Sequence, residues 1–279
     1  MKVITSIAEL REIITSRNQK LAFVPTMGNL HQGHLDLIVR AHELAEIVIA
    51  SIFVNPMQFA AGEDLSNYPR TLDRDISKLE AENVDYLFAP DVNEIYGQDI
   101  AQTTQVVVPG ISSLWCGESR TGHFEGVTTV VNKLFNLIQP DIAVFGEKDF
   151  QQLTIIKKMV SDLNMPVEII GVPTRREEDG LAMSSRNGYL TSNEREIAPK
   201  LRQSLLNIKN EIVVAKDPDY QLIIDQEKRR LDQTGFKTDY LAVCRQSDLM
   251  PAQSGDKNLV IIAAAYLGNA RLIDNLILS

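Results

Sequence analysis

The chain has 279 residues, 44% hydrophobic and 23% charged, with a formal net charge of −9. That balance fits one large or two modest globular domains. It argues against general nucleic-acid binding, which needs clustered Lys and Arg, but leaves a local nucleotide site open. No apolar run approaches the roughly 20 residues that span a bilayer, so no membrane partner is expected. The amino end MKVITSIAELREII carries Glu9 and Glu12 and lacks the apolar core of a secretory signal, which makes the cytoplasm the default location. Cys116 and Cys244 are the only cysteines and imply free thiols, not a disulfide framework.

Residues 1–20 read as a helix, with Ile7, Leu10, Ile13 and Ile14 as its apolar stripe. Leu21 to Val24 read as a buried strand that Pro25 ends. The stretch Thr26-Met27-Gly28-Asn29-Leu30 then turns the chain, Gly28 being free to take a dihedral that a side chain would forbid. Leu35, Ile38, Val39 and Ala45 recur at helical spacing, and Ile47 to Val54 read as the next strand. A helix over about Thr71 to Asn83, with Leu72, Ile76 and Leu79, leads into a strand over Val84 to Ala89. Pro90 to Gly122 is less regular and contains the strand-like Thr104 to Val108. A helix with Val127, Val130, Val131, Leu134 and Leu137 precedes the strand Ile142 to Phe145. Another, with Leu153, Ile156, Val160 and Leu163, precedes Val167 to Val172.

Strands alternating with helices in this way predict an α/β fold with a parallel, doubly wound sheet, whose ligands sit beyond the carboxyl ends of the strands. Pro173 and the charged run Thr174 to Gly180 read as a hinge. Beyond Asn187 come two helices and then the strand-like Asp239 to Cys244, Leu259 to Ala265 and Arg271 to Ile273. Helices followed by strands indicate a second, smaller α+β domain. The expected division is 1–174 and 175–279.

Three stretches carry candidate chemistry, the first two at the carboxyl rim of the sheet, where Asn55 to Phe59 also lies because it directly follows the second buried strand. His31 and His34, with Gly33 between them, fall where a helix begins just beyond a strand. Unpaired N–H groups and the positive end of the helix dipole there suit an anion. Two imidazoles could donate to phosphate oxygens, and Gly33 would let phosphates approach the backbone. After the strand ending at Phe145 comes Gly146-Glu147-Lys148-Asp149. Lys148 offers a point charge for phosphate, and Asp149 can accept ribose hydroxyls or cap the next helix. After the hinge, Ser184, Ser185 and Arg186 supply two hydroxyls and a guanidinium on a loop that reads as a movable anion clamp. Arg120 and His123 precede a helix and would add positive charge. Asp73 and Asp75 could hold magnesium, although acidic residues on such a helix are more often solvated.

The string Pro25-Thr26-Met27-Gly28-Asn29-Leu30-His31-Gln32-Gly33-His34, with SIFVNPMQF, FGEKDFQQL, Met183-Ser184-Ser185-Arg186 and the closing LGNARLIDN, resembles the pantothenate synthetase family. That family lies within the HIGH-motif nucleotidyltransferase superfamily of Rossmann-like fold. The resemblance spans essentially the whole chain. It implies an ATP-dependent ligase joining (R)-pantoate to β-alanine through a pantoyl adenylate, with release of AMP and pyrophosphate, in pantothenate and coenzyme A biosynthesis. It assigns Met27, Gly28, Asn29, Leu30, His31, Gln32, Gly33 and His34 to ATP. It assigns Gly146, Glu147, Lys148, Asp149, Met183, Ser184, Ser185 and Arg186 to ATP as well, and Arg175 to adenine through its backbone. Gln58, Gln152 and Asn55 fall to pantoate, and Gln58 also to β-alanine.

His34, His31 and Lys148 are the expected catalytic groups, His34 being the better candidate for a proton donor because it lies deeper at the helix start. Mg²⁺ would arrive with ATP, with no metal site of the protein's own. The family resemblance also implies a homodimer. Competing readings are a nucleotidyltransferase acting on a phosphate ester, a class I tRNA synthetase, and a catalytically silent nucleotide sensor. The first needs more basic residues, the second a larger and more basic chain, and the third has no use for Gln58 and Gln152.

Overall fold

The computed structural model describes residues 1–60, 63 and 65–278. Its first part contains β1 (Lys2–Ile4), α1 (Ile7–Ser16), β2 (Leu21–Thr26), α2 (Gln32–His42), β3 (Ile47–Ile52), α3 (Leu72–Ala81) and β4 (Tyr86–Phe88). It continues with α4 (Val92–Tyr96), α5 (Cys116–Ser119), α6 (His123–Ile138), β5 (Ile142–Gly146), α7 (Phe150–Asp162) and β6 (Glu168–Val172). The remainder holds α8 (Ser192–Ile197), α9 (Lys200–Val214), α10 (Tyr220–Asp232), β7 (Lys237–Arg245), β8 (Leu259–Leu267) and β9 (Ala270–Leu278).

Six strands form a parallel sheet in the order β1-β4-β3-β2-β5-β6, the doubly wound arrangement expected. The central strands are largely apolar because both faces are covered. Leu21 and Phe23 of β2 turn toward α1, α6 and α7, whereas Ala22 and Val24 turn toward α2 and α3. From α2, Leu37, Ile38 and Ala41 face the sheet, and Val39 is exposed.

Strand order reverses between β2 and β5. Their ladder stops at Phe23↔Ala143, although β2 runs on to Thr26 and β5 to Gly146. A crevice therefore opens at their carboxyl ends, the usual ligand position in such sheets.

Pro25 does not end β2, contrary to expectation. Leu21 accepts from Asp141 on the β5 side, and Thr26 accepts from Phe53 on the β3 side. Alternation then points Pro25 toward β5, where the ladder has already ended, so its missing N–H leaves no gap. Residues 1–20 are not one helix. β1 pairs with β4 before Ser6 caps α1, and three residues are too few to show a period. Thr104 to Val108 is not a strand. Its backbone is held by α6 side chains, Val106 N–H donating to Thr129 Oγ1 at 3.0 Å and Thr128 Oγ1 donating to the Val106 carbonyl.

β3 stops at Ile52, β9 is longer than the expected 271–273, and a short α8 precedes the two helices anticipated after Asn187. β7, β8 and β9 form an antiparallel sheet with two apolar faces. Leu241, Val243, Ile261 and Ala263 pack with α9 and α10, whereas Ala242, Cys244, Val260 and Ile262 join the core beneath the parallel sheet. Among the described residues no helix is long and apolar enough to cross a membrane.

Candidate active site

The turn after β2 and the turn after β5 face each other across the crevice. The first depends on Asp75, whose side chain is buried. Its carboxylate accepts the N–H groups of Asn29 and Leu30, each at 2.8 Å, and the Thr71 hydroxyl at 3.0 Å. Gly28 has φ +81°, and a Cβ there would lie 3.1 Å from Asp75 Oδ2 and from Ile52 Cγ2. Asp75 is thus neither solvated nor a free metal ligand; it shapes the turn. A sequence signal existed, since Asp75 lies one turn before the buried Leu79 on the inward face of α3. Lys78 on the same helix donates to the Leu30 carbonyl. Asp73 makes no comparable contact and is exposed.

His31 is the N-cap of α2, and the two histidines cap it reciprocally. His31 Nδ1 accepts from Gly33 N–H at 3.2 Å, and His34 Nδ1 accepts from His31 N–H at 3.2 Å. Nδ1 on each ring must therefore be unprotonated, which leaves Nε2–H as the donor of the neutral imidazole. Burial, then Lys148, lowers the His31 pKa to about 4; burial, then His31, lowers that of His34 to about 3. Both rings line the cleft as neutral hydrogen-bond donors.

Lys148 and Asp149 line the opposite side. Asp149 precedes α7 but makes no capping hydrogen bond, and its carboxylate is 4.0 Å from Lys148 Nζ. Desolvation raises its pKa, but Lys148 and Arg186 pull it below the ordinary value.

Asn55 and Gln58 differ in availability. Asn55 donates to Gln58 Oε1 at 3.1 Å and to the Gly126 carbonyl at 3.0 Å, and its Oδ1 accepts from Met57 N–H and the Tyr96 hydroxyl. Every hydrogen-bonding position of that amide is engaged, which fits it to orient Gln58. Gln58 Nε2 rests on Met27 Sδ at 2.8 Å. A thioether is a weak acceptor, so a ligand oxygen can take that donor over.

His123 and Arg120 hold the same segment. His123 Nδ1–H donates to the Gln58 carbonyl at 2.7 Å, and Arg120 donates to His123 Nε2 at 2.9 Å. Burial, then Arg120, lowers the His123 pKa to about 4, and Arg120 pairs with Glu63. The pair does not add the positive charge expected of it.

Gln151 and Gln152 are equally distinct. Gln151 is buried, donates to the Ile111 and Leu114 carbonyls and accepts from Cys116 N–H. Gln152 faces the cleft with no hydrogen bond among the described residues.

The loop that carries Met183 to Arg186 lines the remaining side of the cleft. Met183 N–H donates to the Arg175 carbonyl at 2.9 Å, and Ser184 Oγ accepts from Arg186 N–H. Met27, His31, Gly33, His34, Asn55, Gln58, Gly146, Lys148, Asp149, Gln152, Arg175, Met183, Ser184, Ser185 and Arg186 surround one cavity of about 230 Å³. Gly28, Asn29, Leu30, Gln32 and Glu147 lie off its wall. The Leu30 side chain is in the core, and Gln32 bonds Asp36 in solvent. A second cavity of about 500 Å³ adjoins it and shares Lys148, Asp149, Gln152, Ser184 and Arg186.

A family model described as pantoate-beta-alanine ligase matches residues 2–277. The pantothenate synthetase of Pseudomonas entomophila (strain L48) is 53% identical over 281 residues, covering 100% of this chain and 98% of the relative. That of Marinomonas sp. (strain MWYL1) is 52% identical and covers 99% of each. Pantothenate synthetase from Thermus thermophilus superposes with a TM-score of 0.90 at 44% identity over 99% of both chains. Pantoate-beta-alanine ligase from Francisella tularensis, complexed with β-γ ATP and β-alanine, gives 0.82 at 36% identity over 99% of this chain and 97% of that one.

Proposed function

The chain belongs to the pantoate–β-alanine ligase family and is an enzyme of that class, and we propose that it makes pantothenate from (R)-pantoate, β-alanine and ATP through a pantoyl adenylate. A carboxylate has no leaving group, so an amine cannot displace one usefully. Attack of the pantoate carboxylate on the α-phosphorus of ATP expels pyrophosphate and creates a good leaving group, AMP. The amine of β-alanine then attacks the acyl carbon, and AMP departs. No protein nucleophile is needed, and the work consists of positioning and stabilising charge.

The observation that carries this reading is the opposition of two neutral Nε2–H donors on a helix N-terminus to Lys148 across the switch-point crevice. The imidazoles and the α2 N–H groups would meet phosphate oxygens from one side. Lys148, Ser184, Ser185 and Arg186 would meet them from the other. Asp149 would take the ribose hydroxyls, and the Arg175 backbone would lie against adenine. Gln58, oriented by Asn55, and Gln152 would bind the hydroxyls and carboxylate of pantoate, while Met27, Val127 and Val130 would supply an apolar wall for its methyl groups. Gln58 would also contact β-alanine.

Mg²⁺ belongs to the nucleotide substrate, held by its phosphates. Among the described residues no group of three or more His, Cys, Asp or Glu is arranged to hold a metal ion. The same reading takes residues 1–174 as the nucleotide- and pantoate-binding unit and 175–279 as the unit carrying the mobile clamp, in a cytoplasmic homodimer.

The test is isotope exchange. ATP with pantoate alone should return labelled pyrophosphate to ATP, and ATP with β-alanine alone should not. Exchange that requires only β-alanine would overturn the assignment of the activated carboxylate.

A further inference from the structure

The short turn Glu147–Asp149, which carries Lys148, is gripped from the other sheet. Asn275 of β9 is only 7% exposed, and its Nδ2 donates to the carbonyls of Glu147 at 2.8 Å and Lys148 at 3.0 Å. Two converging carbonyl oxygens fix which way the amide faces, because its own oxygen would be repelled there. The preceding residue, Asp274, is also buried and takes a bidentate grip on Arg176, with contacts of 2.8 and 2.9 Å. One Asp274 oxygen also accepts the N–H of Asn275 at 2.7 Å, and Arg176 donates on to the Gly180 carbonyl at 3.1 Å.

Two consecutive residues of one strand thus hold the backbone under Lys148 and the base of the Ser184–Arg186 loop. Paired charge-assisted hydrogen bonds are strong and directional, so the lysine and the loop share one reference frame. We infer that Asn275 is a positioning residue for Lys148, and that Asp274 and Asn275 together latch the lysine in register with the clamp loop. Asn275 acts on main-chain carbonyls and touches no substrate. The inference rests on the role proposed above for Lys148.

A mutant cycle tests it. Wild type, Asn275→Ala, Lys148→Ala and the double variant are compared for kcat of pantothenate formation and for KM of each substrate. A displacement of a catalytic group by about 1 Å can cost roughly 10²-fold. Asn275→Ala should therefore lower kcat by about that factor while the KM for pantoate stays near wild type. In the Lys148→Ala background the same substitution should cost no more than about twofold, since it has no lysine left to misplace. Retention of the full factor in that background would overturn the latch while leaving the activity reading intact. Should Asn275→Ala fail to fold by circular dichroism, Asn275→Leu, which keeps the side-chain volume but has no donor, carries the same cycle. A wild-type chain that forms no pantothenate would overturn the activity reading and the latch with it.

Discussion

The Ser185 hydroxyl donates to the Asn29 carbonyl at 3.2 Å, joining two residues 156 positions apart. Asn29 sits on the turn that Asp75 holds, with φ of 51°, and Ser185 on the loop that follows the hinge. The bond ties the turn before α2 to the loop that carries Ser184, Ser185 and Arg186. On the reading proposed above, phosphates entering that space would compete for the same hydroxyl, which would link ligand binding to loop position.

His34→Ala should lower kcat by roughly 10²–10³, the usual effect of losing one preorganised donor. The KM for ATP should change less, because the α2 N–H groups still meet ground-state phosphate. Steady-state kinetics with ATP varied gives both numbers. An unchanged kcat would reduce His34 to its capping bond alone.

The three depressed histidines make stability depend on pH in a defined direction. Below the ordinary value of 6.5 the unfolded chain binds protons that folded His31, His34 and His123, with values of about 4, 3 and 4, refuse. The unfolded state then binds more protons, so unfolding free energy falls as pH drops from about 6.5 toward 4. Above 6.5 these groups contribute no slope. Thermal unfolding between pH 5 and 8 should show the midpoint falling only on the acid side, and less steeply in His123→Gln. A midpoint that rises on acidification would contradict the neutral assignments.

Gln151 and Gln152 should separate cleanly. Gln151→Leu leaves two carbonyls and one N–H without their partner, at about 1–3 kcal/mol for each orphaned buried group, and should lower the unfolding midpoint. Gln152→Leu should leave stability within about 0.5 kcal/mol and instead impair turnover of pantoate with little change in ATP binding. Parallel melting curves and pantoate kinetics decide this, and equal effects on both observables would contradict the distinction.

Gly126 on α6 packs against the Gln58 segment. A Cβ there would lie 2.3 Å from the Met57 carbonyl oxygen and 2.6 Å from Gln58 N, both backbone atoms, so the segment would have to shift. Gly126→Ala should cost about 1–3 kcal/mol as overpacking does and raise the KM for pantoate by pushing Gln58 from its place. Wild-type pantoate kinetics would show that the segment yields without moving Gln58.

The sequence by itself determined the alternation of strands and helices, and with it the parallel sheet and the rim where HQGH, NPMQ and GEKD gather. Burial on both faces leaves continuous apolar runs, and Gly146 and Pro173 mark the ends of β5 and β6, so local pattern suffices there, whereas Pro25 lies inside β2 and misleads. Only the tertiary structure decided how each rim residue is used. Asn55 and Gln58, like Gln151 and Gln152, are the same kind of side chain nearly side by side. Which amide is spent inside the protein depends on partners such as Gly126, Tyr96 and Leu114, tens of residues away. The neutral state of His31 and His34 follows from desolvation, and then from Lys148 for His31 and from His31 for His34, and the burial is not visible in a one-dimensional string. Asp75 and Asn275 act on backbone groups 45 and more than 120 positions distant, and no local period records that distance.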